Sequence, residues 1–258
     1  MKKNSDISVL ILAGQREGCE DPLCTLRNTE RKALIPILGQ PMIDYPLKAL
    51  RASGFKEPYC ISGLGVEHGE GLVHSASGSG PADSATVALE SGVDFPVLVT
   101  TADHALLTPE IIAEFLTRAQ NTGADVCVGL AEEAVIQPAY PHVKRTYLRF
   151  KDTAVSGCNL FYVANEKGLE AFRYWRRAQD YRKRPLRLAA SIGLVAPILY
   201  LTGRLTAAGA FKYLSKRIGI NAQYVLIPIA EAAIDVDKPS DLELVETILL
   251  GKQKEQAQ

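Results

Sequence analysis

The chain has 258 residues, 47% hydrophobic and 22% charged, with 29 basic residues against 29 acidic ones. That length buries a full core in one large α/β domain, or in one domain with a substantial insertion. The zero formal charge offers no global field for nucleic acid, and no run of roughly 18 uncharged apolar residues reads as a transmembrane helix.

Residues 7–13 read as a first strand, an apolar run ending in Gly14. Residues 14–31 read as a long polar loop holding Pro22, and a loop of that length in a compact domain is usually functional. Gly39-Gln40-Pro41-Met42 reads as a turn and helix start. Ile43, Leu47 and Leu50 follow at helical spacing, and Gly54 is the stop. Residues 58–62 give a second strand, and 63–81 a glycine- and serine-rich stretch. Asp83 or Ser84 caps a helix through Leu89, closed by Gly92. Residues 95–101 are a buried strand running into Ala102-Asp103-His104. Thr108 and Pro109 open a helix that Asn121-Thr122-Gly123 closes.

Residues 124–130 read as another strand. Two β-type runs follow at 145–150 and 158–163, with a Ser156-Gly157 turn before the second. Helical patterns cover 166–182, 186–203 and 206–218. Residues 225–229 read as a strand, and 233–237 as a short last one. Pro239-Ser240-Asp241 starts a final helix, with a frayed tail after Gly251. Strands alternating with helices predict a Rossmann-like α/β fold, a mostly parallel sheet with helices on both faces. The expected organisation is a single domain over 1–258, with a helical basic insertion at 166–219.

The five cysteines, Cys19, Cys24, Cys60, Cys127 and Cys158, are odd in number and hold no C-x-x-C pair. They read as ordinary thiols in a reducing, cytoplasmic setting. The opening residues, Met1 to Asp6, are too polar, and the apolar run behind them too short, for a signal peptide.

A glycine turn at a strand's C-terminal edge lets backbone N–H groups approach a phosphate. Gly14 offers such a turn, and Arg16 and Lys32 add positive charge suited to a triphosphate. The plainer reading is a simple turn with two solvated side chains. Asp103 ends the strongest strand, and Asp235 and Asp237 lie in the last one. Carboxylates brought from separate strand ends to one sheet edge make a hard-oxygen site suited to Mg²⁺. Equally, Asp103 can cap a turn, and Asp235 or Asp237 the final helix.

The order of these parts resembles a known family. Leu12-Ala13-Gly14-Gln15-Arg16, followed by Lys32-Ala33-Leu34-Ile35-Pro36-Ile37-Leu38-Gly39-Gln40-Pro41-Met42-Ile43, is similar to the N-terminal signature of nucleotidyltransferases like molybdenum-cofactor guanylyltransferase. Thr101-Ala102-Asp103-His104 is similar to the family's metal-aspartate strand end. Ile234-Asp235-Val236-Asp237-Lys238-Pro239-Ser240-Asp241-Leu242 resembles its closing motif. The resemblance implies a GT-A-like nucleotidyltransferase fold and a Mg²⁺-dependent enzyme. It would move NMP from CTP or GTP to a phosphorylated small-molecule or lipid-linked acceptor, with release of pyrophosphate. Ala13, Gly14, Gln15 and Arg16 would hold the triphosphate, and Lys32 would steady the α-phosphate. Gly80 and Ser84 would lie near the base. Asp103, with one or both of Asp235 and Asp237, would hold the metal. Arg16 is a departure, standing where the signature has a second glycine. The rival readings are a glycosyltransferase using a nucleotide-sugar donor, and a non-catalytic nucleotide-binding or membrane-adaptor protein.

Residues 173–217 carry eleven basic side chains and one acid, Asp180. They flank the apolar run 188–201, which is too short to span a bilayer. Such a pattern suits an interfacial helix on anionic lipid at the inner face of the membrane, or a pocket for an acidic acceptor. It equally suits a helical pair covering the sheet, or a dimer interface.

Overall fold

The computed structural model describes residues 1–15, 21–143, 145–181, 193 and 195–256. Its strands are β1 (Ser8–Leu12), β2 (Pro36–Ile37), β3 (Gln40–Pro41), β4 (Tyr59–Ser62), β5 (Leu72–Ser75), β6 (Val97–Thr101), β7 (Val126–Glu132), β8 (Leu148–Arg149), β9 (Ala154–Val163) and β10 (Ala222–Leu226). Its helices are α1 (Pro22–Arg27), α2 (Asp44–Ala52), α3 (Pro81–Glu90), α4 (Pro109–Asn121), α5 (Glu133–Ala139), α6 (Leu169–Tyr181), α7 (Val195–Leu201), α8 (Ala207–Ile218) and α9 (Pro239–Gln256).

The main sheet runs β10-β7-β9-β6-β1-β4-β5, with β8 paired to β9. All pairings are parallel except those of β9, which runs against β6, β7 and β8. The mostly parallel sheet expected from the alternating pattern is therefore present. Strand β1 shows why it is stable. Val9 and Ile11 enter one core with Leu47 and Leu50 of α2 and Phe115 of α4. Leu10 and Leu12 enter the opposite core with Leu89 of α3 and Phe172 of α6. A strand buried on both faces must be apolar along its buried length, as Val9–Leu12 of β1 are.

A third core holds the loops at the C-terminal edge of the sheet. It joins Leu23 and Cys24 of α1, Ile35, Ile37 and Met42 around the β2–β3 hairpin, and Ala105 and Leu106 after β6. Ile234, Val236, Leu242 and Val245 close it from the last segment and α9. Burying side chains of this size is worth roughly 1.5–3 kcal/mol each. The surrounding loops are thus packed rather than merely tethered.

Several local expectations are corrected. The polar loop contains α1, started by Asp21, whose side chain accepts from the Leu23 N–H, and by Pro22. The glycine-rich stretch contains β5, an edge strand paired only with β4. Helix α3 is preceded by Gly80, with Pro81 in its first turn, and starts earlier than Asp83. Helix α5 lies between the strand expected at 124–130 and the run expected at 145–150, where no element was expected. Strand β10 starts three residues before the expected strand. Residues 234–237 pair with no strand among the described residues; the Val236 N–H reaches the Asp103 carbonyl at 3.1 Å instead. Arg16, Cys19 and residues 182–192 and 194 lie outside the described residues.

Candidate functional site

In the register of the sheet, Leu12 of β1 stands between Ser62 of β4 and Thr101 of β6. The chain leaves β1 toward β4 and β5, then returns to β6 on the other side. Parallel sheets bind ligands at such a switch point, outside the strands' carboxyl ends. Here the strand ends deliver Ala13-Gly14-Gln15, Gly63 and Ala102-Asp103. Ala13, Gly14, Lys32 and Asp103 line one hollow with Leu12, Ala33, Met42 and Ala102.

Gly14 and Gly63 serve different purposes. A Cβ on Gly63 would lie 2.6 Å from the Gly14 Cα, and its φ is +86°. Only glycine fits there. A Cβ on Gly14 would meet nothing closer than 3.8 Å, with Ser84 Oγ at 3.9 Å. Neither conformation nor packing within the described chain requires glycine at 14. What its missing side chain leaves is open space against the backbone.

Gln15 acts on the loop that follows it. Its Nε2 donates to the Glu30 carbonyl at 2.8 Å, and its Oε1 accepts from the Lys32 N–H at 2.8 Å. The side chain thereby closes the base of the 16–31 loop and fixes the Lys32 backbone, which enters a 3₁₀ turn over Lys32–Leu34.

The Lys32 ammonium lies between two carboxylates, donating to Asp103 Oδ2 and to Asp237 Oδ1, each at 2.8 Å. Burial by itself pushes the ammonium's pKa down. The charges of Asp103 and Asp237, and their hydrogen bonds, overcome that and hold it above its ordinary value. The other oxygen of Asp103, Oδ1, is buried and accepts no hydrogen bond among the described residues. A buried carboxylate oxygen without a donor suits a cation.

Asp235 sits differently from its neighbour two residues on. Its Oδ1 pairs with Arg145 Nη1, its Oδ2 accepts from Asn159 Nδ2 at 2.8 Å, and its backbone carbonyl accepts from Arg145 Nη2 at 3.1 Å. Burial raises its carboxyl pKa; Arg145 lowers it, while Asp103 and Asp237 raise it further. Asn159 reaches Asp235 because β9 is bulged. Val128 pairs with Phe161 and Leu130 with Gly157, so three residues of β9 face Gly129 alone. Asn159 has φ +51°, a conformation asparagine tolerates, and the bulge re-aims its side chain.

On the other side of Gly14, the loop before α3 is fastened by its own helix. Ser84 Oγ accepts from the Gly78 N–H at 3.0 Å, and Asp83 accepts from the Ser79 N–H at 2.8 Å. Arg176 of α6 reaches Asp83 at 3.3 Å, and a Cβ on Gly80 would lie 3.4 Å from Gln179 Oε1. The start of the basic insertion therefore packs beside this loop.

Of the expected residues, Ala13, Gly14, Lys32, Asp103 and Asp237 converge at the switch point. Ser84 touches the same place, and Gly80 lies at the rim formed with α6. Asp235 is adjacent, with both side-chain oxygens engaged. His104 is 1% exposed, and burial pushes its imidazole down to about 4, so it is a neutral core residue. The sequence reading missed Gly63, Arg145 and Asn159, and took Asp83 only as a helix cap and Arg176 only as part of the basic run. A polar residue inside an apolar β run was the available signal for Asn159. Arg145 carries no local signal. Among the described residues, no three His, Cys, Asp or Glu side chains are grouped as a metal cage.

Comparison with curated proteins found no match. Among solved structures, a hypothetical transferase from Thermus thermophilus is 29% identical, with a TM-score of 0.77, covering 92% of this chain and 99% of its own. The 2-C-methyl-D-erythritol 4-phosphate cytidylyltransferase of the same organism is 18% identical, with a TM-score of 0.53, covering 94% and 98%. Molybdopterin-guanine dinucleotide biosynthesis protein A of Archaeoglobus fulgidus is 14% identical, also at 0.53, covering 95% and 100%. The last two share the fold. The sequence model of the MobA-like NTP transferase domain matches residues 10–157, more than half of the chain. The chain therefore belongs to the MobA-like NTP transferase domain family, a family of nucleotidyltransferases.

Proposed function

We propose that this protein transfers NMP from CTP or GTP to a phosphorylated acceptor and releases pyrophosphate, with Mg²⁺ at the site. The observation that carries this reading is Asp103. It stands at the switch point with one oxygen on Lys32 and the other buried without a donor among the described residues. Asp103 and Asp237 would hold the ion, whose charge would offset that of the phosphates. Asp235, engaged by Arg145 and Asn159, supports the segment instead of ligating.

The chain's own residues do the rest by position and charge. The open backbone at Gly14 admits a phosphate, and the Ala13–Gly14 turn orients it. Lys32 neutralises charge building on the α-phosphate during in-line attack by the acceptor. The loop fastened by Asp83 and Ser84, with Gly80 at its end, faces the base. By the family resemblance of its motif, Arg16 would bind the same phosphates. Residues 1–258 act as one domain, with 166–219 as its helical insertion.

A pyrophosphate-release assay with each NTP, Mg²⁺ and a panel of phosphorylated acceptors tests the reading. We expect turnover with CTP or GTP, lowered at least about 100-fold by Asp103→Ala. Turnover of a nucleotide-sugar without pyrophosphate would establish the glycosyltransferase alternative. Unchanged turnover in Asp103→Ala would remove the metal assignment.

The lipid-linked form of the acceptor draws support from α7. Val195, Ile198 and Leu201 are 58%, 56% and 84% exposed on it, within the basic insertion. No helix among the described residues is long and apolar enough to cross a membrane. Contact would therefore be peripheral, at an anionic surface. Sedimentation with anionic but not neutral vesicles is the expected result, and equal recovery with both would refute it.

A further inference from the structure

We infer that Lys32 is the internal counter-ion of the site: in the free protein its ammonium fills the space between Asp103 and Asp237 that a divalent cation takes in the complex, and the phosphates of an arriving nucleotide draw it away. The inference rests on the nucleotidyl-transfer reading above. Its consequence is an order of events, in which bare metal binds weakly and the metal enters with the nucleotide.

Three observations carry it. First, the ammonium bridges the two carboxylates at 2.8 Å each, with its side chain 16% exposed. A divalent ion placed between the same oxygens would face that ammonium at close range, and like charges so near exclude each other. Second, the backbone of Lys32 is pinned. Gln15 Oε1 holds its N–H, and the Ile35 N–H donates to its carbonyl at 3.2 Å. Only the side chain is left to move, so the ammonium swings about a fixed base. Third, it has somewhere to go. It lines one hollow with Ala13, Gly14 and Ala102, and the Cβ position of Gly14 is clear to 3.8 Å. A phosphate seated there would lie on the same side of the site as Lys32.

The carboxylates also remain incompletely satisfied by the lysine. Asp103 Oδ1 keeps no donor among the described residues, and Asp237 is 62% exposed. One ammonium therefore occupies the pair without matching its charge. That leaves the pair competent to exchange one cation for another.

The test is Mn²⁺ binding, followed by electron paramagnetic resonance of the free ion, on the whole protein without nucleotide. Lys32→Met should bind bare Mn²⁺ at least about tenfold more tightly than wild type, a gain of about 1.4 kcal/mol. Lys32→Arg, which keeps the cation, should bind it as weakly as wild type. Adding an α,β-methylene analogue of CTP or GTP should bring wild type to tight Mn²⁺ binding. Mn²⁺ alone should also raise the melting temperature of Lys32→Met but not of wild type, because binding to the native state stabilises by mass action. This melt also reports whether the variant is folded. Wild type binding bare Mn²⁺ as tightly as a folded Lys32→Met would overturn the counter-ion role and leave the proposed function standing. Failure of every form to bind Mn²⁺, with the nucleotide analogue present, would overturn both.

Discussion

Replacing Arg145 with methionine isolates what holds the Asp235–Asp237 segment in place. Arg145 is 9% exposed and Asp235 21%, and the guanidinium bonds both the carboxylate and the backbone carbonyl of Asp235. Methionine fills similar length without charge. It leaves Asp235 buried with only Asn159 as a donor. Breaking a buried pair from one side costs about 3–5 kcal/mol. Two features pull the value to the lower end: Asp235 keeps a fifth of its exposure, and the Arg145 Nε, buried without a partner among the described residues, no longer has to be accommodated. We therefore expect a loss of about 3 kcal/mol, a drop in melting temperature of about 6–12 °C for a chain of this size. Urea and thermal unfolding at neutral pH measure it. The double variant Arg145→Met/Asp235→Asn removes both charges and should recover about 2 kcal/mol of the loss. A double variant no more stable than Arg145→Met would refute the idea that an uncompensated buried carboxylate is the cause.

Two glycine substitutions should separate binding from folding. Gly14→Ala places its methyl in ordinary contact at 3.8 Å, so stability should change by less than about 0.5 kcal/mol. Nucleotide affinity measured by calorimetry should still fall at least about tenfold. Gly63→Ala meets the Gly14 Cα at 2.6 Å with φ +86° and should cost about 2 kcal/mol or more in urea unfolding. Equal destabilisation by the two variants would contradict this division. Asp83 supplies a pH dependence. The Ser79 N–H, opposed by burial and aided by the Ser79 hydroxyl and Arg176, holds its carboxyl below the ordinary value. A depressed pKa contributes stability that is present above the unfolded value and lost as pH falls through the folded one. Asp83→Asn should therefore cost about 1 kcal/mol at neutral pH, scaled down for its 24% exposure, and nearly nothing well below the ordinary carboxylate range. A cost that persists in acid would point to shape rather than charge.

Much of the sheet was legible because its signals are local. Five consecutive apolar residues before Gly14, Val9 to Ala13, specify β1, and Thr108-Pro109 marks the start of α4, where Thr108 Oγ1 accepts from the Ile111 N–H. Helix α1 was hidden by its length. Six residues give too little periodicity, and the helix stands because Leu23 and Cys24 are covered by α9 and the hairpin. Strand β5 was hidden by its surroundings: half-exposed, pairing on one side only, and bracketed by Gly71 and the 76–80 loop. The site divides the same way. Gly14 and Asp103 stand just past strand ends, and strand ends can be read from pattern; Lys32 and Asp237 lie in the motifs that carry the family resemblance. The partners of Asp235 come from 76 and 90 residues away. Such pairings depend on the register of β9 and its bulge, which no window of sequence contains.

The last segment was read as a strand because apolar and acidic residues alternate, and that alternation is its structural content even without a partner strand. Ile234 and Val236 are fully buried, so Asp235 and Asp237 must project together away from that core. Two carboxylates two residues apart then meet two different cations, Arg145 on the first and Lys32 on the second. The first pair is sealed, and its guanidinium also holds the backbone. The second has 62% exposure on the Asp237 side and shares its lysine with Asp103. With three carboxylates against two cations, this cluster carries one negative charge. A divalent ion would leave it positive only while both cations stayed; in the proposed reaction a polyphosphate arriving with the ion would supply negative charge and a new partner for Lys32. In the proposed site the closing motif thus places two acids at one spacing for two purposes: the first would fix the segment, and the second, 62% exposed, would exchange what it binds.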